Sequence, residues 1–529
     1  MNARLTVYVK PGNKIKSLPG LKSFTGISNE LVFFSEDSKF LSWVGESDIT
    51  VSSQKEAFEL ERAIQQIEGV EDAEVITEES SEEEDINERF DHFNGVINLS
   101  KPTLPDPFWY HRSIDMDGAL EYAAKEFAAG RGSFDKDASK FSIAMLDTGY
   151  TNHPETASVD REHGKNFMRR ENPDDPIDTL ESTRPLPIRW GGHGTSCSSL
   201  IIGADSVIAP ENRIPRENTF FDDRVNGLLP KNINLVPFRV SRNILSFGSN
   251  MAEGINYVSR KTDISVISMS HASLLNRRIY HAAIREAYEK GIIFIAAPGS
   301  HVFASRKVLT YPAKYPETIA PAASTVDNEP WKLTHGGPEV ALCAPGFEIY
   351  IPFPFKTKDL QVGYVYKWSE GSSFAVPIVA TAAALWKMHH GEKLDSFSGI
   401  EQIEMFRHII KKTATPFANP DNQKLYGAGI INFKKMLESP LEPAAVPKEN
   451  FMAVMPEQIF VTNKKEASFI RELSYLRVKQ LAFKPSKKTN DIDYFYEEGS
   501  ESFKDWMTKR LQNVPDKGNT LKSIIESNL

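Results

Sequence analysis

The pattern of hydrophobic and polar positions divides the 529-residue chain into stretches of different character. Near the start, apolar and polar residues alternate over 5–9, and 30–34 reads as a second strand. Between 53 and 68, Ala57, Leu60, Ala63, Ile64 and Ile67 recur at helical spacing. Gly69 is placed to stop that helix, and 73–76 to form a strand after it. Residues 1–78 therefore read as a small α/β unit.

An acidic run follows, Glu78-Glu79-Ser80-Ser81-Glu82-Glu83-Glu84-Asp85. Like charges repel and nothing in the run can be buried, so 79–107 reads as a solvated linker. From about 101 to 437 the pattern changes. Short runs rich in Ile and Val (141–146, 233–240, 264–268, 292–297) alternate with helix-like segments (196–203, 251–260, 276–290). Strands apolar on both faces and separated by helices predict a parallel sheet covered on both sides. Functional groups of such sheets gather at the carboxyl ends of strands and at helix starts. Past 442, Pro443, Pro447, Pro456 and many charges break the pattern; 468–480 and 502–512 read as helices, without a motif that carries chemistry.

Composition narrows the choice. With 40% apolar and 25% charged residues, the chain can build a large core without metal or disulfide staples. The net charge of −9, from 62 basic and 71 acidic residues, argues against a nucleic-acid partner, and no basic block is present. The two cysteines, Cys197 and Cys343, suit a reducing compartment, with a bridge between them left open. The first residues lack a continuous apolar stretch with a small-residue cleavage site, and no apolar run is long enough to cross a bilayer. The expectation is a cytoplasmic protein with no membrane partner, export without a signal peptide remaining open.

Three segments carry candidate chemistry. The first is the apolar strand ending in Asp147-Thr148-Gly149, where a buried carboxylate needs a partner. In the second, Gly191-Gly192-His193-Gly194-Thr195 opens a helix and offers a general base flanked by glycines. The third, Glu370-Gly371-Ser372-Ser373-Phe374-Ala375-Val376-Pro377, sets a serine at the positive end of a helix, which suits a developing oxyanion. Alone, each has a plainer reading: a strand-ending turn, a helical turn with an incidental histidine, a serine N-cap.

Together they resemble the three signature motifs of the subtilases, in the order Asp, His, Ser. Further segments resemble the family in order: Met269-Ser270-His271-Ala272 its substrate-binding strand, Gly299-Ser300 its oxyanion segment, and Tyr311-Pro312, Ala344-Pro345-Gly346 and Tyr426-Gly427-Ala428-Gly429. The resemblance runs from about 108 to 437. It implies a three-layer αβα catalytic domain over 108–441 with a parallel sheet, preceded by a small ferredoxin-like, propeptide-type domain over 1–78. It implies a serine endopeptidase acting on protein or peptide substrates, with Ser373 as nucleophile, His193 as general base and Asp147 orienting it. Met269, Ser270, His271 and Ala272 would pair with an extended peptide. The N-terminal domain would be an inhibitor of the cleft, released by cleavage between about 79 and 107, with a permanent regulatory or partner-binding domain as the alternative. No role is implied for 442–529. Calcium is common in the family, but no ligand loop here matches it, so no cofactor is assigned.

The chain departs from the family at several points. Ser300 stands where the family usually has Asn, so the oxyanion donor is shorter, and His301 is an alternative donor. Phe374 is bulky beside the nucleophile and is expected to reshape the pocket there. Ala272 replaces a glycine and is expected to narrow the pocket. The stretches 172–188 and 204–224 read as insertions, either limiting access to the cleft or forming ordinary surface loops. Cys197 reads as a small packing residue. Two other classes stay open: a peptide-binding pseudoprotease, and a transpeptidase or macrocyclase using the same acyl-enzyme.

Overall fold

A computed structural model of the chain describes residues 2–10, 32–33, 41–77, 106–129, 141–168, 171–180, 191–203, 227–228, 233–242, 244, 249–273, 277–300, 309–356 and 362–442. The expected linker up to residue 105, the insertion 204–224, His301 and the chain beyond 442 lie outside the described residues.

The first unit comprises β1 (Asn2–Val9), β2 (Val32–Phe33), β3 (Val44–Thr50), α1 (Gln54–Gln65) and β4 (Val70–Thr77). The strands form one antiparallel sheet in the order β2-β3-β1-β4. The helix expected at 53–68 is shorter. Ser53 is its N-cap, accepting the Glu56 N–H, and Gly69 takes a left-handed turn (φ 88°) after it. Leu5, Val7 and Val9 pack with Ala57, Ile64, Val70, Ala73 and Val75. A ferredoxin-like pattern needs a further helix between β1 and β2, where 11–31 are outside the described residues. The strand β3 has no counterpart in the sequence reading. It is polar, and Glu46 within it is buried because Arg4 of β1 lies 2.8 Å away; burial pushes its carboxyl up to about 7 against the pull of Arg4.

The larger unit opens with α2 (Trp109–Ser113) and α3 (Met116–Ala128). It continues through β5 (Ser142–Asp147), β6 (Lys165–Asn166), α4 (His193–Ile202), β7 (Leu235–Arg239), α5 (Asn250–Val258) and β8 (Ile264–Met269). After these come α6 (Arg278–Glu289), β9 (Ile293–Ala296), β10 (Ala320–Ser324), β11 (Val340–Pro345), β12 (Ile349–Lys356) and β13 (Val362–Ser369). The last helices are α7 (Ser372–His390), α8 (Gly399–Thr413), α9 (Gln423–Tyr426) and α10 (Phe433–Glu438). Strands β6-β7-β5-β8-β9 form a parallel sheet in that order; β10 and β11 pair in parallel, and a bridge between Ile295 and Ile319 adjoins them to β9.

Alternation along β5 makes the layers. Ile143 and Met145 point into a core with Leu200 and Ile201 of α4 and Val376 and Ile378 of α7. Ala144 and Leu146 point the other way, against Met251 and Ile255 of α5 and Ile279 and Ile284 of α6. The sheet is therefore covered on both faces, as the apolar runs predicted. Almost every residue of α7 is buried, which fits a helix apolar on all sides and fixes its start inside the domain. The antiparallel hairpin of β12 and β13 closes over α4, where Ser196 Oγ donates to the Pro352 carbonyl at 2.7 Å.

The N-terminal sheet docks on α5 and α6. Tyr8, Leu41 and Val44 join the core on that side, and the Tyr8 hydroxyl accepts the Ile279 N–H at 3.1 Å. Glu74 and Arg277, each 1% exposed, pair at 2.8 Å. Asp72 lies 3.5 Å from Arg278, and Arg4 reaches Ser249 and Glu253. Removing one member of a buried pair strands the other, so Glu74→Ala is expected to destabilise the docked state by about 3–5 kcal/mol. Thermal melting and limited proteolysis of the full chain measure this: the variant should melt lower and lose its N-terminal unit faster. No helix among the described residues is long and apolar enough to cross a membrane.

Candidate active site

The carboxyl end of β5 delivers Asp147 to a fully buried position, and the Thr148 N–H donates to its Oδ1 at 2.7 Å. His193 is the first residue of α4, 2% exposed, with Nδ1 2.8 Å from Asp147 Oδ1 and 3.1 Å from Oδ2. A carboxylate only accepts, so Nδ1 carries the proton and Nε2 is left as the basic nitrogen. Glycine makes the approach possible. A Cβ on Gly194 would fall 2.0 Å from the Gly149 carbonyl oxygen and 3.2 Å from Asp147 Cβ, so a side chain there would drive the first turn of α4 away from the carboxylate.

Each member of the pair answers to the other. Burial alone would push the Asp147 carboxyl up, but His193 and then His271 outweigh it and hold it well below the carboxylate range. Burial alone would disfavour the His193 imidazolium, but the Asp147 charge outweighs it and holds His193 well above its ordinary value.

Part of the stretch expected as an insertion props up this pair. Gly192 N–H donates to Asp178 Oδ2 at 2.7 Å, and Tyr150 exchanges backbone hydrogen bonds with Pro176 and Asp178. Arg239, buried at the end of β7, sits 2.9 Å from Glu171 and 3.3 Å from Asp178, and donates to the Thr148 carbonyl. The described residues 171–180 are thus polar scaffolding for the turn after Asp147. The only signal in the sequence is their charge, which reads equally well as a solvated loop.

Ser373 is the second residue of α7, after Gly371 (φ 154°). Ser372 is buried with no partner for its hydroxyl among the described residues, whereas Ser373 is half-buried, and its Oγ reaches the Ser270 carbonyl at 3.5 Å. Ser270 Oγ donates to the Ser373 carbonyl at 2.7 Å. Cys197 ties the elements together: its Sγ is 3.9 Å from both ring nitrogens of His193 and 3.6 Å from the Ser373 carbonyl oxygen. Ser300 faces the same space. A Cβ on Gly371 would lie 3.8 Å from Ser300 Oγ, 3.6 Å from the Ser373 nitrogen and 3.8 Å from Ser373 Cβ. Asp147, His193, Ser373 and Ser300, far apart in sequence, therefore gather around one site.

Other expectations meet a different arrangement. Phe374 is 1% exposed and packs in the core with Leu200, Val376 and Ile378. The Ala272 N–H, expected to be offered to a peptide, donates to the Ile244 carbonyl at 3.0 Å, and Met269 O accepts the Ala297 N–H at 3.2 Å. The His271 side chain is fully buried, with Nε2 3.4 Å from Asp147 Oδ1. Both cysteines are free and buried. Among the described residues the group able to hold a metal ion is Asp147, His193 and Cys197. Nitrogen and sulfur donors do not suit calcium, which takes six to eight oxygens.

Comparison with known proteins adds to this geometry. The profile described as subtilase family, peptidase S8, matches residues 138–429. An alkaline protease of Alkalihalobacillus alcalophilus is 26% identical over 295 residues, 56% of this chain and 63% of that protein. The chain thus spans less than two thirds of that relative. Subtilisin Savinase of Lederbergia lenta is 25% identical over 294 residues, 56% of this chain and 89% of that protein. A solved structure described as proteases from Pseudoalteromonas arctica covers 64% of this chain and 98% of its own, at 18% identity and a TM-score of 0.44.

Proposed function

The chain belongs to the subtilase family, and from that premise we propose that it is a serine endopeptidase acting through an acyl-enzyme on Ser373. The observation that carries this reading is the buried Asp147–His193 pair set beside the half-exposed hydroxyl at the start of α7. Ser373 Oγ attacks the scissile carbonyl while His193 Nε2 takes its proton and then gives it to the leaving amine. Asp147 fixes the tautomer and balances the imidazolium. Water, deprotonated by the same nitrogen, then releases the acid and restores Ser373.

The oxyanion would be held by the Ser373 N–H and the Ser300 hydroxyl. Loss of one such donor costs on the order of 10² in kcat, so Ser300→Ala should lower kcat by about that factor with KM little changed. Ser300→Asn should raise kcat above wild type by lengthening the donor. Steady-state kinetics on a chromogenic peptide measure both.

The substrate would lie along 269–272 as an added strand. Because the Ala272 N–H is engaged by Ile244, an entering peptide must displace that contact. The docking of β1 and β4 on α5 and α6 supports reading 1–78 as an inhibitor of its own catalytic domain, removed by self-cleavage beyond residue 78. A fluorophosphonate probe tests the central reading: wild type should be labelled at Ser373, and His193→Ala should be labelled far more slowly. Unlabelled wild type would favour a peptide-binding protein without catalysis.

A further inference from the structure

We infer that His271 is a positioning residue of the triad, an imidazole donating from Nε2 to Asp147 and sharing that carboxylate with His193. The inference rests on the reading of Asp147, His193 and Ser373 as a working triad. His271 follows β8, and its side chain is 0% exposed. Its Nε2 is 3.4 Å from Asp147 Oδ1, and its ring meets that of His193 edge-on, with centroids 6.0 Å apart and planes at 70°. Neither of its ring nitrogens makes a hydrogen bond among the described residues; the approach of Nε2 to Asp147 is a contact not yet aligned as one. A buried imidazole without a partner is costly, and the Asp147 carboxylate is the acceptor within reach. Catalytic hydrogen bonds are often long in a resting enzyme and tighten when substrate binds, so 3.4 Å suits a donor poised for that step.

The consequence follows from counting donors. Oδ1 of Asp147 accepts from the Thr148 N–H at 2.7 Å and from His193 at 2.8 Å, and His271 Nε2, 3.4 Å away, would become a third donor once aligned. A third donor keeps the buried carboxylate ionised and fixed in place. It also withdraws part of the negative charge that would otherwise stabilise the His193 imidazolium. His193 is then less basic than beside Asp147 alone and gives up its proton at lower pH. The downward pull on Asp147 from both histidines agrees with this arrangement. Among the described residues, the titratable groups gathered around this carboxylate are Asp147 itself at the end of β5, His271 after β8 and, on α4, His193 and Cys197, whereas Lys387, His389 and His390 sit at the far end of α7. Burial pushes the Cys197 thiol up, so it stays protonated and neutral.

The test compares His271→Leu and His271→Gln in the purified full chain, with active sites counted by fluorophosphonate titration. Leu fills the buried space and removes the donor; the Gln amide retains an N–H donor. His271→Leu should lower kcat per active site by about tenfold with KM within about twofold, and move the acid limb of kcat/KM up by about half a pH unit or more. His271→Gln should bring the acid limb back toward wild type. Independently of turnover, the low-field His193 Nδ1–H resonance should titrate at higher pH in His271→Leu. Unchanged kcat and an unmoved acid limb in His271→Leu would overturn the inference. So would a loss confined to the fraction of active sites in both variants, which marks packing alone. If wild type is not labelled at Ser373, the triad reading itself fails and takes the inference with it; labelled wild type with an unmoved His271→Leu profile leaves the triad standing and removes only His271.

Discussion

Replacing Ser373 with alanine is expected to lower kcat by about 10⁶, the scale on which a subtilisin-type triad loses its function without the nucleophile. The choice between the neighbouring serines rests on burial. Ser372 is 1% exposed and its hydroxyl meets no partner among the described residues, whereas Ser373 is half-buried on the side that Ser300 faces. Ser372→Ala should therefore cost less than about tenfold, a useful control for general damage at the start of α7. Ser373→Ala should fold normally, since among the described residues the Oγ makes only a long bond to the Ser270 carbonyl at 3.5 Å. Kinetics on a peptide substrate, with melting temperatures alongside, separate loss of chemistry from loss of fold.

Asp147→Asn is expected to lower kcat by about 10⁴, because a neutral amide neither fixes the His193 tautomer nor balances the imidazolium. The pH dependence gives the prediction a sign. In the wild type the Asp147 charge outweighs burial and holds His193 above its ordinary value, so kcat/KM should rise through an acid limb above about 6.5. Without that charge, burial dominates and disfavours the imidazolium, so the residual activity should have its acid limb at lower pH. A profile of kcat/KM against pH for both proteins measures the shift. The opposite displacement would mean that something other than Asp147 supports the His193 charge.

The parts of this architecture that sequence made legible are those set by local pattern. The run ending at Asp147 is apolar from Ile143 to Leu146, and β5 is buried on both faces. The helix at 53–68 carried its apolar spacing and its Ser53 cap within one segment, and only its end was overestimated. Three glycine-containing motifs singled out Asp147, His193 and Ser373 as candidates because chemistry of that kind needs particular residues at particular strand and helix ends. What escaped depends on partners distant in the chain. The polar strand β3 is buried because Arg4 lies beside Glu46, a pairing across 42 positions. The hairpin of β12 and β13 contains Pro352 and Pro354, which argue against a strand until its partner across the ladder is known. Arg239, Glu171 and Asp178 form a network in which each residue alone reads as surface charge.

His271 is the instructive case. It was read with Met269, Ser270 and Ala272 as part of a peptide-binding edge. His271 lies just past the end of β8, and Met269, Ser270, His271 and Ala272 are all buried, so no alternation in this segment sets His271 apart from its neighbours. That Asp147 lies beside it is a property of the parallel neighbour β5, which no local pattern reveals.

The most direct test is to incubate the purified full chain with an unstructured protein such as casein and sequence the products by mass spectrometry. An endopeptidase yields new internal termini, each pair summing to the parent mass plus one water, and none appear with Ser373→Ala. Contradiction would come from casein left intact by a chain that is labelled at Ser373, or from products joined through new peptide bonds instead of hydrolysed.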